Sequence, residues 1–307
     1  MFSIDLQHNG NDKSAGLKRD SVKAIFLFIL LAKLPFVLFS LQYVMDMKFW
    51  QKQEPEKPLF PDVEWNKPER RDQAGKLGII GGNKLGFLAV AESYQESLKT
   101  GVGEARVLLP DALKKNVPAN MTDVLFAPTN QSGSLANEAL AETLALERWA
   151  DVLLLCGDAG RNSQTAIVYE ELIKKSEIPV VLTRDAIDLV QNSFQEILDN
   201  PHVVFIASLA QVQKIFRAIF YPKMITFSIQ LSQLVEALHK FTITYPVTIC
   251  VFHADNLIIA HSGEVVTQKW DAPMAIWRGT VGARAASYLI WSPKAPLAAI
   301  STAICKM

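Results

Sequence analysis

The stretch WRGTVGARAASYL (277–289) carries the residue types of an anion-binding turn. Gly279, Thr280 and Gly282 precede a run of small residues, Ala283, Ala285 and Ala286, that reads as a helix. Backbone N–H groups at a helix N-terminus attract negative charge, and glycines let a phosphate or a developing oxyanion approach the main chain. Arg278 and Arg284 flank the turn and can add positive charge, although arginines on an ordinary surface look no different. The proton carrier is what this turn lacks. No Asp or Glu follows Asp271.

Three other places offer groups for a polar ligand. Gly81 and Gly82 end the apolar run KLGIIGG (76–82), and Gly157, Asp158, Gly160 and Arg161 follow the run DVLLL. Asp185 comes just after IPVVLT (178–183). Each has a plainer reading: a tight turn at 81–82, a solvated Asp158–Arg161 pair, and a cap on the helix that Asp185 begins. His253, after TICVF, has a ring suited to acid–base work near neutral pH, but a lone His at a strand end is more often structural.

The elements that must position these residues alternate from Lys76 onward. A strand and turn are expected at 76–82, a strand and glycine loop at 151–160, a strand running into a helix at 178–190, and strands at 104–110, 202–208 and 246–252. Helices are expected at 87–101 with Gly101 as its stop, at 134–150 with Ser134 as its N-cap, and at 164–176, 210–220 and 228–240. NLIIAHSGEVVTQ (256–268) reads as a hairpin turning at HSGE. Continuous apolar strands between helices predict an α/β three-layer sandwich with a mostly parallel central sheet. Ligands of such sheets bind beyond the carboxyl ends of the strands, so Gly81, Gly157 and Gly279 are expected around one cleft.

Composition narrows the function classes. Half the residues are hydrophobic and 31 basic side chains balance 31 acidic ones, which argues against disorder and against nucleic-acid binding. Cys156, Cys250 and Cys305 form no spaced pair and read as buried thiols in a reducing cytoplasm. The five histidines are scattered, so no metal site is expected. Residues 24–44 are apolar over about the length that spans a bilayer, interrupted by Lys33 and Pro35. Two readings stay open for 1–46: a membrane anchor that leaves the domain on the cytoplasmic side, or an upstream extension of a start at Met45 or Met47. Residues 47–74 read as a Pro- and charge-rich linker or strapped-down arm, and 75–307 as the domain.

These residues in this order resemble the ribokinase-like fold and, within it, the ADP/ATP-dependent NAD(P)H-hydrate dehydratases. GKLGIIGGNKLGFLAVAESYQESLKTGVGEARVLLP (75–110) is similar to that family's opening strand, Gly-Gly turn, alanine-rich helix and second strand. ADVLLLCGDAGRN (150–162) takes the place of its G-P-G-L-G loop. IPVVLTRDAIDLV (178–190) matches P-V-V-L-D-A-D-A-L-N-L, with Thr183 at the first Asp and Asp185 at the second. MAIWRGTVGARAASYL (274–289) stands where the family has G-T-G-D, and its catalytic Asp falls near Val281 and Gly282. Ser208 replaces the His of T-P-H-P-G-E, and Phe252 and His253 stand at the K-G motif.

The resemblance implies substrate contacts from Gly81, Gly82, Gly157, Gly160, Asp185 and Ser208. It implies nucleotide or anion contacts from Arg278, Gly279, Thr280 and Gly282. It also implies repair of hydrated NADH and NADPH, with ATP or ADP as the nucleotide and Mg as a companion ion, and it leaves a homo-oligomer open. The altered motifs point to a member of reduced activity, which Gly282→Asp would be expected to raise. The rivals are a non-catalytic nucleotide or dinucleotide binder and a small-molecule kinase of the ribokinase-like group. Because the alternation begins only near Lys76, residues 1–46 should be dispensable for folding. A chain started at Met47 is expected to be soluble with a cooperative thermal transition, and an aggregated product would contradict this.

Overall fold

The computed structural model describes residues 47–307; the apolar stretch 24–44 lies outside them. Ten strands form one sheet among the described residues: β1 (Trp50–Gln53), β2 (Lys76–Ile80), β3 (Glu104–Pro110), β4 (Val124–Ala127), β5 (Val152–Leu155), β6 (Val180–Thr183), β7 (Val203–Ser208), β8 (Thr248–His253), β9 (Asn256–His261) and β10 (Glu264–Lys269). Their order is β1-β10-β9-β8-β7-β6-β5-β2-β3-β4. Only β8–β9 and β9–β10 pair antiparallel.

Both faces of the sheet are covered, which explains why β5 reads VLLL without alternation. Leu153 and Leu155 pack to one side, Val152 and Leu154 to the other. The first side is covered by α2 (Leu140–Trp149), α3 (Ser163–Lys175), α4 (Asp185–Leu189), α5 (Phe194–Ile197), α6 (Leu209–Ala218) and α7 (Leu231–Thr244). The second is covered by α1 (Leu88–Thr100), α8 (Met274–Arg278), α9 (Thr280–Trp291) and α10 (Pro296–Cys305). Each leucine buried this way contributes about 1.5–3 kcal/mol. Among the described residues no helix is long and apolar enough to cross a membrane.

Several boundaries differ from the sequence reading for local reasons. The helix expected from Ser134 starts later, as a 3-10 turn Asn137–Ala139 leading into α2. The Asn130 side chain accepts the amides of Ser132 and Ser134, so a local turn takes the donors that a helix start would use. β8 and β9 are joined by Ala254-Asp255, both at positive φ (47° and 56°), a primed hairpin turn made without glycine.

The arm of residues 47–74 supplies an edge strand. β1 runs parallel to β10, and the buried Gln53 donates to Gln268 Oε1 and to the Ser301 carbonyl, each at 2.8 Å. Farther along, Tyr288 donates to Glu64 at 2.9 Å and Trp291 Nε1 to the Ala74 carbonyl at 3.0 Å, which ties the arm across α9. Truncating Gln53 to Ala strips two buried acceptors of their donor, which typically costs about 1–3 kcal/mol. Urea denaturation of Gln53→Ala should show a lower midpoint with an unchanged slope.

Candidate functional site

The loops that leave β2, β5 and β6 meet at the first turn of α1, and Asp158 joins them. Phe87, the N-cap residue of α1, offers that helix no side-chain cap. Asp158 Oδ2 instead accepts the Ala89 amide at 2.9 Å, placing negative charge where the helix dipole favours it. Its Oδ1 accepts from Arg184 Nη2 at 3.0 Å. Its carbonyl accepts from Asn83 Nδ2 at 2.6 Å. Asp158 and Arg184 both hold positive φ, 63° and 53°, conformations that cost non-glycine residues roughly 1–3 kcal/mol each. Such strain persists only where the surroundings over-determine it.

The glycines make this closeness achievable. A Cβ on Gly157 would lie 2.6 Å from Arg184 Nε, so the guanidinium passes directly over that residue. A Cβ on Gly81 would come within 3.0 Å of the Gly157 carbonyl, which also accepts the Gly82 amide at 3.4 Å. Gly279, at φ 92°, ends α8 and begins α9, and its added Cβ would meet Ser93 Oγ of α1 at 2.7 Å. That hydroxyl receives the Cys156 thiol at 3.3 Å. The structure thus brings Gly81, Gly157 and Gly279 around the upper turns of α1, at the carboxyl ends of the strands.

Asp185, at the start of α4, has one carboxylate oxygen engaged and one without a partner. Its Oδ2 accepts the Gly160 amide at 3.1 Å, and its Oδ1 is buried with none. Burial pushes its carboxyl above the ordinary 3.8, the Asp158 charge adds to that, and the Gly160 amide and Arg184 act against it. On α3, the Tyr169 hydroxyl is also buried without a partner, and burial followed by the Asp185 charge raises its phenol. Asp188 is already engaged, by Lys214 at 2.6 Å and by Gln211 at 3.1 Å.

Other expected site residues have different employment. Ser208 caps α6 in a reciprocal box with Gln211. His253 Nε2 bonds the Ile229 carbonyl at 2.7 Å, which ties it to a loop. Arg284 donates to the Ala303 and Lys306 carbonyls at 3.2 and 3.1 Å and pairs with Glu96, so it anchors the end of α10 instead of flanking an anion. The acid–arginine pair of the β5 loop forms with Arg184, not Arg161, because Arg184 crosses over Gly157. The Thr280 hydroxyl donates back to the Ala275 carbonyl at 3.0 Å. Gly282 lies inside α9 against β6, where an added Cβ would sit 2.6 Å from the Thr183 methyl. An Asp at 282 has no room there, which removes the expectation that Gly282→Asp restores activity. Arg278 stays exposed and lines a groove of about 510 Å³ along α1 with Thr280 and Glu92. Sequence reading missed Arg184, Asn83 and Tyr169; the signal for the first was a charged residue between a buried strand and Asp185 in LTRDA.

The comparisons with known proteins agree with this architecture. No family model matches the chain. It is 26% identical over 150 residues to the bifunctional NAD(P)H-hydrate repair enzyme of Methanothermobacter thermautotrophicus, covering 47% of this chain and 29% of that protein. It is 25% identical over 114 residues to the ADP-dependent (S)-NAD(P)H-hydrate dehydratase of Natrialba magadii, covering 37% of this chain and 43% of that one. The chain therefore matches less than half the length of these curated relatives. A ribokinase-like superfamily protein of Enterococcus faecalis superposes with a TM-score of 0.66 at 15% identity, over 85% of this chain and 87% of that one. The ADP/ATP-dependent NAD(P)H-hydrate dehydratase of Bacillus subtilis, co-crystallised with ATP and Mg2+, gives 0.55 at 12% identity, over 80% and 86%. The fold is ribokinase-like.

The raised carboxyl of Asp185 has a consequence for stability. The native state holds its proton more tightly than the unfolded chain, so its contribution is fully present below pH 3.8 and is lost as pH rises through the raised folded value. Asp185→Asn carries no such ionisation. Its melting temperature relative to wild type should therefore climb as pH rises from 4 to 7; a pH-independent difference would contradict the burial of an ionising carboxyl.

Proposed function

We propose that this chain is a nucleotide-dependent NAD(P)H-hydrate dehydratase of reduced activity, with the domain at residues 75–307. The carrying observation is the assembly at the carboxyl ends of β2, β5 and β6, where the Gly81-Gly82 turn, the 157–160 loop and Asp185 meet under the first turn of α1. The sequence likeness to hydrate-repair enzymes and the ribokinase-like fold support the reading.

In this reading a nucleotide phosphorylates the hydroxyl left by hydration, and loss of phosphate restores the double bond. The residues present fit a nucleotide's phosphates at the start of α9. That helix of 12 residues has no side-chain cap and no acidic residue in its first turn, and it opens on Gly279. Arg278 is exposed beside it. Among the described residues no group of three or more His, Cys, Asp or Glu forms a metal cluster. A Mg ion would accordingly arrive on the phosphates.

The closure of Gly282 against Thr183 favours a second reading, a nucleotide or dinucleotide binder without turnover. Incubation of the purified protein with NADH hydrate and either ATP or ADP separates the two. NADH should re-form at less than about 1 per second, below the ordinary enzyme range. Binding of NADH hydrate and ADP with no NADH formed would select the binder, and binding of neither would remove both readings.

A further inference from the structure

We infer that Asp185 is the proton-accepting residue of this site, taking the role that the start of α9 leaves empty; the inference rests on the dehydratase reading above. Chemistry at a hydroxyl needs a base within hydrogen-bond reach that is not already committed to protein donors. Along α9 itself no such group exists, since no carboxylate follows Asp271 and the position facing β6 is closed by the Thr183 methyl. Glu92 on α1 also keeps a buried oxygen without a partner, but it lines the groove along α1 with Lys99 and Arg278 and not the loops that leave β5 and β6. Two residues past Thr183, where β6 passes into α4, Asp185 keeps one buried oxygen without a partner while Gly160 holds the other. A buried carboxylate oxygen left unpaired is costly, and it is the arrangement expected where a ligand hydroxyl completes the bonding.

The neighbours keep it in that state. Asp158 cannot serve, because both its oxygens are engaged, by Ala89 and by Arg184. Asp188 is taken by Lys214 and Gln211. The groups that bear on Asp185 are the Gly160 amide and its own amide, Asp158 and Arg184 at the loop ends, Tyr169 on α3 and Cys156 at the end of β5. Burial and the Asp158 charge make it a stronger base than a solvated carboxylate, while the Gly160 amide and then Arg184 act against the shift. Tyr169 supplies a second unpartnered polar atom, a hydroxyl donor on the helix behind.

The step balances with the nucleotide as co-reactant. The substrate hydroxyl gives its proton to Asp185 as its oxygen bonds to the terminal phosphorus, and the bond from that phosphorus to the departing nucleotide breaks with its electron pair. In the elimination, the carbon–oxygen bond breaks and phosphate leaves with the pair. The proton on the adjacent carbon passes to the departing phosphate, and the electron pair of that carbon–hydrogen bond forms the ring double bond.

The test compares wild type with Asp185→Asn and Asp185→Glu. It uses NADH hydrate with ATP or ADP, reading both NADH formation and ligand-induced shift in melting temperature. Asp185→Asn should keep the shift given by NADH hydrate and ADP and lose at least about a hundredfold in turnover, within the range general-base help contributes. Wild-type kcat should rise with pH along an acidic limb that disappears in Asp185→Asn, and Asp185→Glu should recover part of the rate. The asparagine variant's own melting curve shows that it folds. Turnover by Asp185→Asn within threefold of wild type overturns the inference while leaving the dehydratase reading standing. So does loss of turnover accompanied by loss of the ligand shift, which would make Asp185 a binding residue. Binding by wild type without turnover also overturns it, in favour of the binder. A wild type that shows neither shift nor turnover removes the reading itself.

Discussion

The contact between Thr183 and Gly282 constrains most of what surrounds it. With glycine at 282, α9 lies so close to the end of β6 that not even a Cβ fits between them. This closeness sets where α9 begins, and so where Gly279 turns against Ser93 of α1. Thr183 and Gly282 are the two places where the resembling family carries acidic residues. Far apart along the chain, they meet in space, where the Thr183 methyl packs on Gly282. Interiors are packed densely enough that a side chain at 282 would have to shift the helix or the Thr183 methyl.

The charge near this contact is concentrated one loop away. The Asp158 carboxylate caps α1 and pairs with Arg184 while its backbone carbonyl receives Asn83, so a single residue ties three strand-to-helix connections together. The two strained backbones at Asp158 and Arg184 are maintained by these bonds. The arginine also lies over Gly157, so its side chain covers the backbone at the start of the 157–160 loop.

The sheet was largely legible because burial on both faces imposes unbroken apolar runs, as at VLLL in β5 and VVL in β6. Glycine stops were legible too: Gly101 ends α1 in the left-handed conformation as its position suggests. What escaped the sequence was set by partners far along the chain. β1 has no independent pattern and is a strand because β10 offers an edge to it. Ser134 failed as an N-cap because Asn130 bonds its amide. At the site, Asp185 was visible as a carboxylate after a strand, but its unpaired oxygen depends on what Gly160 and Asp158 do nearby. Arg284 reads as a flanking cation in one dimension and proves to be an anchor for the last helix.

The attachment of β1 to β10 also bears on the order of folding. Residues 50–53 are synthesised well before their partners, residues 265–268 of β10 and Ser301 of α10. A pairing that spans more than two hundred residues carries a large loop-closure entropy and forms late. Until then the outer side of β10 stays an open edge, the kind of surface on which nascent chains associate. The arm thus works as a clasp that shuts after the sheet is built, and the interval before it shuts is when this chain most needs a chaperone.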